Sequence, residues 1–217
     1  MMRSRFDEEL NTLNNELILM GALCEDSISY AVTALMEDNE ELRTKVFTVD
    51  QQIDHKELDI ESQCLRLLLR EQPVARDLRQ ISSAMRMISD MERIGDQASD
   101  IAEISQYLRG DQLKNRVPLQ DMAVAVTKMV TESVDSFVHR DLKLAEEVIE
   151  YDDVADSLFL DIKSGLVRMI SADSSCGEAA LDLLMIAKYL ERIGDHATNI
   201  AEWVGYAVTG EYKGGEL

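Results

Sequence analysis

Apolar side chains recur every three or four residues along almost the whole chain, the spacing of one face of an α-helix. Leu10, Leu13, Leu17, Met20, Cys24, Ile28, Ala31 and Leu35 mark a first helix from about Arg5 to Glu37. Asp38-Asn39 reads as a turn and cap. A second helix then runs from about Asn39 to Arg70, closed by Glu71-Gln72-Pro73 because proline disfavours helical geometry in the residue before it. A third extends from Pro73 or Val74 to Leu108 and stops at Arg109-Gly110-Asp111, with glycine where a helix C-terminus favours it. The pattern continues with a fourth helix from Pro118 to His139 and a fifth from Asp141 to Ile170. A capping loop over Ser171–Ser175 precedes a sixth from Cys176 to Val208, and the tail from Thr209 to Gly215 is expected to fray.

The pattern occurs twice. Met91-Glu92-Arg93-Ile94-Gly95-Asp96-Gln97-Ala98-Ser99-Asp100-Ile101-Ala102-Glu103 matches Leu190-Glu191-Arg192-Ile193-Gly194-Asp195-His196-Ala197-Thr198-Asn199-Ile200-Ala201-Glu202 without a gap. Upstream, Asp50–Asp54 matches Asp152–Asp156. Duplication of a three-helix unit is the simplest account. The expected fold is all-α, two tandem similar three-helix bundles over residues 1–112 and 113–217.

Composition narrows the function classes. The 217 residues carry 22 Lys+Arg against 42 Asp+Glu, a formal charge of −20. That charge repels nucleic acid and anionic membrane surfaces, so neither is an expected partner. With 46% hydrophobic residues the chain can still bury a core. No apolar run is expected to approach the roughly 20 residues of a membrane span, and the N-terminal MMRSRFDEELN has no signal-peptide stretch. Cys24, Cys64 and Cys176 lack metal-ligand spacing and read as packed, reduced thiols of a cytosolic protein.

The acidic residues break the usual rule that charge opposes the apolar stripe. At about 100° per residue, Glu92, Asp96, Asp100 and Glu103 continue the stripe of Leu78, Ile81, Met85 and Ile88. Glu191, Asp195, Asn199 and Glu202 do the same with Ala180, Leu184 and Ala187. Asp50 and Asp54 share a face with Val46, Ile53, Cys64 and Leu68; Asp152 and Asp156 share one with Val148, Phe159, Val167 and Ile170. In antiparallel hairpins turning near Pro73 and near Asp173-Ser174, Asp54 faces Glu92 and Asp50 faces Asp96, while Asp156 faces Glu191 and Asp152 faces Asp195. Each half therefore places four carboxylates in a square, and such a square costs several kcal/mol per group unless a cation compensates.

Arg93 and Arg192 flank the stripes and offset only part of that charge. Carboxylates without Cys or His on the stripe favour hard cations, Mg²⁺, Mn²⁺, Ca²⁺ or iron, and they bridge several ions readily. Gly95 and Gly194 inside the helices suit a close approach by another helix or by a cluster. A solvated acidic face explains one such motif in isolation; four motifs matched in height and duplicated favour ion binding. Glu57 and Glu61 are replaced by Phe159 and Lys163 in the other half and read as peripheral. His55, His139 and His196 differ between halves, which suits surface or supporting roles. Met20, Met85, Met87, Met91, Met169 and Met185 read as core filling, and Trp203 as an end-of-helix packing residue.

On the paired ERIGD segments (Glu92–Asp96, Glu191–Asp195), the Asp100 and Asn199 extensions, Asp50–Asp54, Asp152–Asp156 and the turn Gln72-Pro73-Val74-Ala75-Arg76-Asp77-Leu78-Arg79, the chain resembles the PhoU family of phosphate-uptake regulators over nearly its whole length. The resemblance implies two three-helix bundles side by side, carrying a multinuclear centre of divalent or trivalent metal (iron, manganese, magnesium or zinc). The implied ligands are Asp50, Asp54, Glu92, Asp96 and Asp100 in the first half, and Asp152, Asp156, Glu191, Asp195 and Asn199 in the second. It also implies a negative regulator that contacts the ATPase subunit of the phosphate (Pst) ABC transporter and a PhoR-type sensor kinase. The expected setting is cytoplasmic, peripheral to the inner membrane through those partners, with no direct membrane insertion. A homodimer is expected, which long amphipathic helices permit without requiring. No enzymatic activity is expected; the alternative is a carboxylate-bridged di-metal oxidase or hydrolase, although the Glu-x-x-His signature of ferritin-like sites is missing because Gly95 and Gly194 stand at that place. A helical scaffold without any ion is the third reading.

Overall fold

The computed structural model describes residues 2–71 and 73–211, and side chains among them except those of residues 2–5, 70 and 71. Six helices follow one another: α1 Met2–Glu37, α2 Glu40–Glu71, α3 Ala75–Ser105, α4 Leu119–His139, α5 Leu142–Ala172 and α6 Gly177–Thr209. Two short 3₁₀ turns, Gln106–Leu108 and Leu113–Arg116, carry the chain from α3 to α4. The tail expected to fray, from Tyr212 onward, lies outside the described residues.

Local chemistry sets the helix ends. Asn39 caps α2, its Oδ1 accepting from the backbone N–H of Glu41 and Leu42 at 3.1 Å. Asp141 caps α5 in the same way, accepting from Lys143 and Leu144. Gly110 and Gly210 adopt the left-handed conformation that glycine favours, and α4 ends on a left-handed Arg140 at φ 54°.

Helices α1, α2 and α3 form one bundle and α4, α5 and α6 the other; α3 packs along α6 and α1 along α4 to join them. The apolar positions read from the sequence line a single core that runs through both halves, from Leu13, Leu17 and Met20 to Leu190, Ile193 and Ala197. Among the methionines expected inside, Met20, Met87 and Met91 are fully buried and Met85 and Met169 half-buried, whereas Met185 is exposed. Leu78 and Val167 are also exposed; on α5 the inward place beside Val167 is taken by Leu166, which is buried. The expectation about membrane spans needs correction as well. The Phe6–Glu37 stretch of α1 is long and apolar enough, by length and composition, to cross a membrane. Its apolarity is used in the core, where Leu13, Leu17, Met20, Cys24, Ile28, Ala31 and Leu35 are buried.

Lys114, in the connector between halves, is only 2% exposed. Its ammonium donates to Leu35 O at 2.7 Å and to the Asp38 carboxylate, whose other oxygen accepts from the Gly110 N–H at 3.1 Å. The lysine thus satisfies a carbonyl in the last turn of α1, ties the connector to it, and holds the Asp38 carboxyl below its ordinary pKa.

The α2–α3 contact is tightest at Gly95. A Cβ added there would stand 2.9 Å from Ile53 Cδ1 and 3.0 Å from Asp50 Oδ1. At Gly194, the corresponding place between α5 and α6, the nearest atom would be Asp152 Oδ1 at 3.4 Å, an ordinary contact. Gly194→Ala is therefore expected to gain about 0.5–1 kcal/mol from helix propensity. Gly95→Ala is expected to lose about 1 kcal/mol or more, because overpacking outweighs that gain. Urea melts of the two variants check the opposite signs. Lys114→Met is expected to lower stability in the same assay by about 1–3 kcal/mol, through the carbonyl and carboxylate left without their donor.

Candidate metal centre

Helices α2 and α3 bring Asp50, Asp54, Glu92 and Asp96 to one level of the first bundle, where Asp54 and Asp96 act on both Asp50 and Glu92. Burial pushes the Asp50 carboxyl up, Asp54, Asp96 and Asp100 push it further, and the nearby Ser99 hydroxyl works against them. Glu92 is raised by burial, then by Asp96, Glu57 and Asp54, with Arg93 in partial opposition from 3.5 Å. Asp50 Oδ1 itself is buried beside Gly95 without a hydrogen-bond partner. A buried carboxylate oxygen left without a donor is the kind of atom a cation would satisfy.

The second bundle repeats the arrangement on α5 and α6. The Asp152 carboxyl is pushed up to about 6 by burial first, then by Asp156, Asp195, Glu191 and Asp153. Asp195 is raised by burial and by Glu191, with Lys188 opposing. Lys188 is what the sequence reading missed. Its ammonium pairs with Glu191 one turn along α6, so this square carries a built-in positive charge. The matching residue of the first half is Ser89, which donates instead to Glu57 at 3.1 Å. The i,i+3 spacing of Lys188 and Glu191 was the available signal.

The side chains sit shallower than a helical wheel alone suggests. Asp50, Glu92, Asp96, Asp152 and Glu191 are half-buried, whereas Asp54, Asp156 and Asp195 are exposed. Among the described residues no three His, Cys, Asp or Glu side chains stand close enough together, in the conformations seen here, to hold a metal ion. The donors are grouped along each hairpin seam and open to solvent on one side.

Asp100 and Asn199 have a second engagement. Asn199 donates to Asp90 Oδ1 at 3.2 Å, and His196 Nδ1 lies 2.9 Å from the same oxygen. In the mirrored place Asp100 takes a hydrogen bond from the Tyr189 hydroxyl, with Arg192 nearby. The third motif position of each half thus reaches across to the other half. His196, expected in a surface or supporting role, is half-buried and lies at the seam between bundles. Glu61 is exposed as expected, while Glu57 adds to the field on Glu92. Cys24 and Cys64 are buried thiols whose pKa burial raises, Cys64 to about 12, which leaves them inert. Cys176 is half-buried and free.

With this geometry in view, comparison with known proteins is informative. The PhoU domain model matches residues 17–105 and again 119–204. The chain is 36% identical over 213 residues to a phosphate-specific transport system accessory protein PhoU homolog of Clostridium acetobutylicum, covering 97% of each. It is 37% identical over 208 residues to the homolog of that name from Pseudomonas aeruginosa, covering 95% of this chain and 86% of that one. The crystal structure of PhoU from Pseudomonas aeruginosa superposes with a TM-score of 0.86 at 36% identity, covering 95% of this chain and all of that one. PhoU from Streptococcus pneumoniae gives 0.85 at 27% identity, covering 98% and 100%. Two domain matches in tandem, full-length relatives above 30% identity and the same six-helix architecture place this chain in the PhoU family.

Proposed function

We propose that this protein is a metal-binding, non-catalytic regulator of phosphate uptake, acting through protein contacts with the phosphate transporter's ATPase subunit and a PhoR-type sensor kinase. Its relatives are accessory proteins of phosphate-specific transport, which supports the regulatory role. The observation that carries the metal reading is the duplicated gathering of carboxylates, in which burial and then neighbouring carboxylates raise the pKa of Asp50 in one half and of Asp152 in the other, with Asp50 Oδ1 buried and unpartnered. Asp50, Asp54, Glu92 and Asp96 would hold ions in one half, and Asp152, Asp156, Glu191 and Asp195 in the other. The ions would supply the positive charge that lets all four groups ionise together. All-oxygen donors suit iron, manganese or magnesium, and the spread of the groups suits a multinuclear centre. Lys188 pairs with Glu191 in the second square and Arg93 lies 3.5 Å from Glu92 in the first, so each square keeps an excess of carboxylate for an ion to balance.

Contact with other proteins is supported by the apolar side chains left outside the core. Leu65, Leu69, Val74 and Leu78 are exposed near the α2–α3 turn, and Leu160, Val167, Leu181 and Met185 along the α5–α6 hairpin. The chain would then be a rigid helical adaptor, cytoplasmic and brought to the membrane by its partners, and a homodimer.

Asp54→Ala with Glu92→Ala is expected to remove the metal of the first half and leave that of the second, measured as metal per chain by elemental analysis of the purified protein. Unchanged stoichiometry would count against the assignment. Binding of the transporter ATPase subunit in a membrane pull-down is expected to weaken when Leu69 and Val74 are replaced by Ser.

A pH prediction follows from Asp152. Its native pKa near 6 lies above the ordinary 3.8, so between these values the folded chain holds a proton that the unfolded chain has released. In chelated protein this group's contribution to stability is present at low pH and is lost as pH rises through that window. Thermal melts across the window should show a smaller loss for Asp152→Asn than for wild type, and saturating Mn²⁺ should oppose the loss. Identical slopes for the two proteins would refute the placement.

A further inference from the structure

At the far end of α3 from the carboxylates, three arginines gather in a chain whose net charge is −20. Arg76 and Arg140 line a cavity of about 220 Å³ together with Gln80, Phe137, Val204 and Val208, at the junction of α3, α4 and α6. Arg79, one turn along α3 from Arg76, packs over the end of α6, where a Cβ on Gly210 would stand 3.5 Å from its Nε. That Nε is buried and has no hydrogen-bond partner. None of the three arginines forms a salt bridge among the described residues.

The cavity is built rather than incidental. Gln80 is 4% exposed, and its Oε1 accepts from the Arg140 guanidinium while its Nε2 donates to Asn14 Oδ1 at 3.4 Å. Asn14 on α1 thus orients Gln80 on α3, which orients Arg140 at the end of α4. The left-handed backbone of Arg140 carries its side chain into this junction at a conformational cost that few non-glycine residues accept. Burial, and then the neighbouring Arg76, depress the Arg140 pKa, with Asp77 in opposition among the described residues. The first two turns of α3 contribute Arg76 and Gln80, and the N-terminus of α3 lacks a side-chain cap, which adds partial positive charge. An anion in the cavity would face Arg76 and Arg140 together and relieve their repulsion.

We infer that the Arg76–Arg140 cavity is an oxyanion site that takes free phosphate. Planar guanidinium forks match tetrahedral oxyanions through paired charge-assisted hydrogen bonds. The volume lies below the roughly 300–1,000 Å³ of pockets that enclose larger organic ligands, so the ligand is a small ion. The choice of phosphate among tetrahedral ions rests on the phosphate-transport reading; the anion site itself does not depend on the metal centre. Because α1, α3, α4 and α6 all meet here, a bound phosphate tightens the junction between the two bundles.

Isothermal titration of inorganic phosphate into the full-length, chelator-treated protein tests this. Saturable binding of one phosphate per chain is expected, weakened by about tenfold or more in Arg76→Gln/Arg140→Gln and partly retained in Arg140→Lys, which keeps the charge without the fork. Arg76→Gln alone changes an exposed side chain, leaves the Gln80–Arg140 link in place, and is expected to weaken binding without altering the melting temperature. Phosphoserine is expected to bind more weakly than phosphate, since esterification removes one of the four oxygens that the guanidinium forks can engage. Wild-type protein without saturable binding, a double variant of unchanged affinity, or tighter binding of phosphoserine would each overturn the assignment. Metal content measured on the untreated variants keeps the two sites apart. Loss of phosphate binding with metal intact supports this site, whereas phosphate binding that disappears from wild type on chelation assigns the ion to the metal centre and refutes it.

Discussion

The governing constraint is electrostatic. Two pairs of helices bring carboxylates face to face along partly apolar seams, and like charges at such levels resist ionising together. The backbone makes room for this conflict, since α2 comes close enough to α3 only because Gly95 lacks a side chain, and Asp50 Oδ1 occupies the space. The response differs between halves. In the first, Arg93 flanks Glu92 at 3.5 Å, while in the second Lys188 pairs with Glu191. Duplication supplied two identical problems, and divergence has given them two answers.

Helix α3 links these sites. One of its faces meets α2 at the carboxylates, another meets α6 through Asp90 and Asp100, and its first turns line the arginine cavity. Gln80 and Glu92 are about 18 Å apart along the axis. A helix packed on several sides moves as a unit, so a change in its tilt at one end is felt at the other.

The helices, their caps and the duplication were readable from the sequence because each depends on local spacing. So was the approach of Asp54 to Glu92 and of Asp152 to Asp195, since an antiparallel hairpin fixes height once its turn is located. Depth was not readable: a helical wheel assigns Asp54 and Asp156 to a face but cannot tell how far the seam opens to solvent. Nor were the contacts between bundles, because Asp90, Tyr189 and His196 look like ordinary flank residues until the docking of α3 on α6 is known. Lys114 resembles a surface lysine in the sequence, and only the return of the connector to the end of α1 buries it. The arginines near Pro73 were noted only as part of a turn motif, since their partner Arg140 lies in the other half of the chain.

The seam between bundles has one more implication. Asp90 and Tyr189 occupy equivalent places in the two repeats, as do Asp100 and Asn199, yet each accepts or donates in the opposite sense. A chain assembled from two first halves would set Asp90 against Asp100, carboxylate on carboxylate, at both crossing points. Two second halves would set Tyr189 against Asn199 and lose both anionic acceptors. The once interchangeable repeats have become lock and key to each other, so neither can replace its sibling.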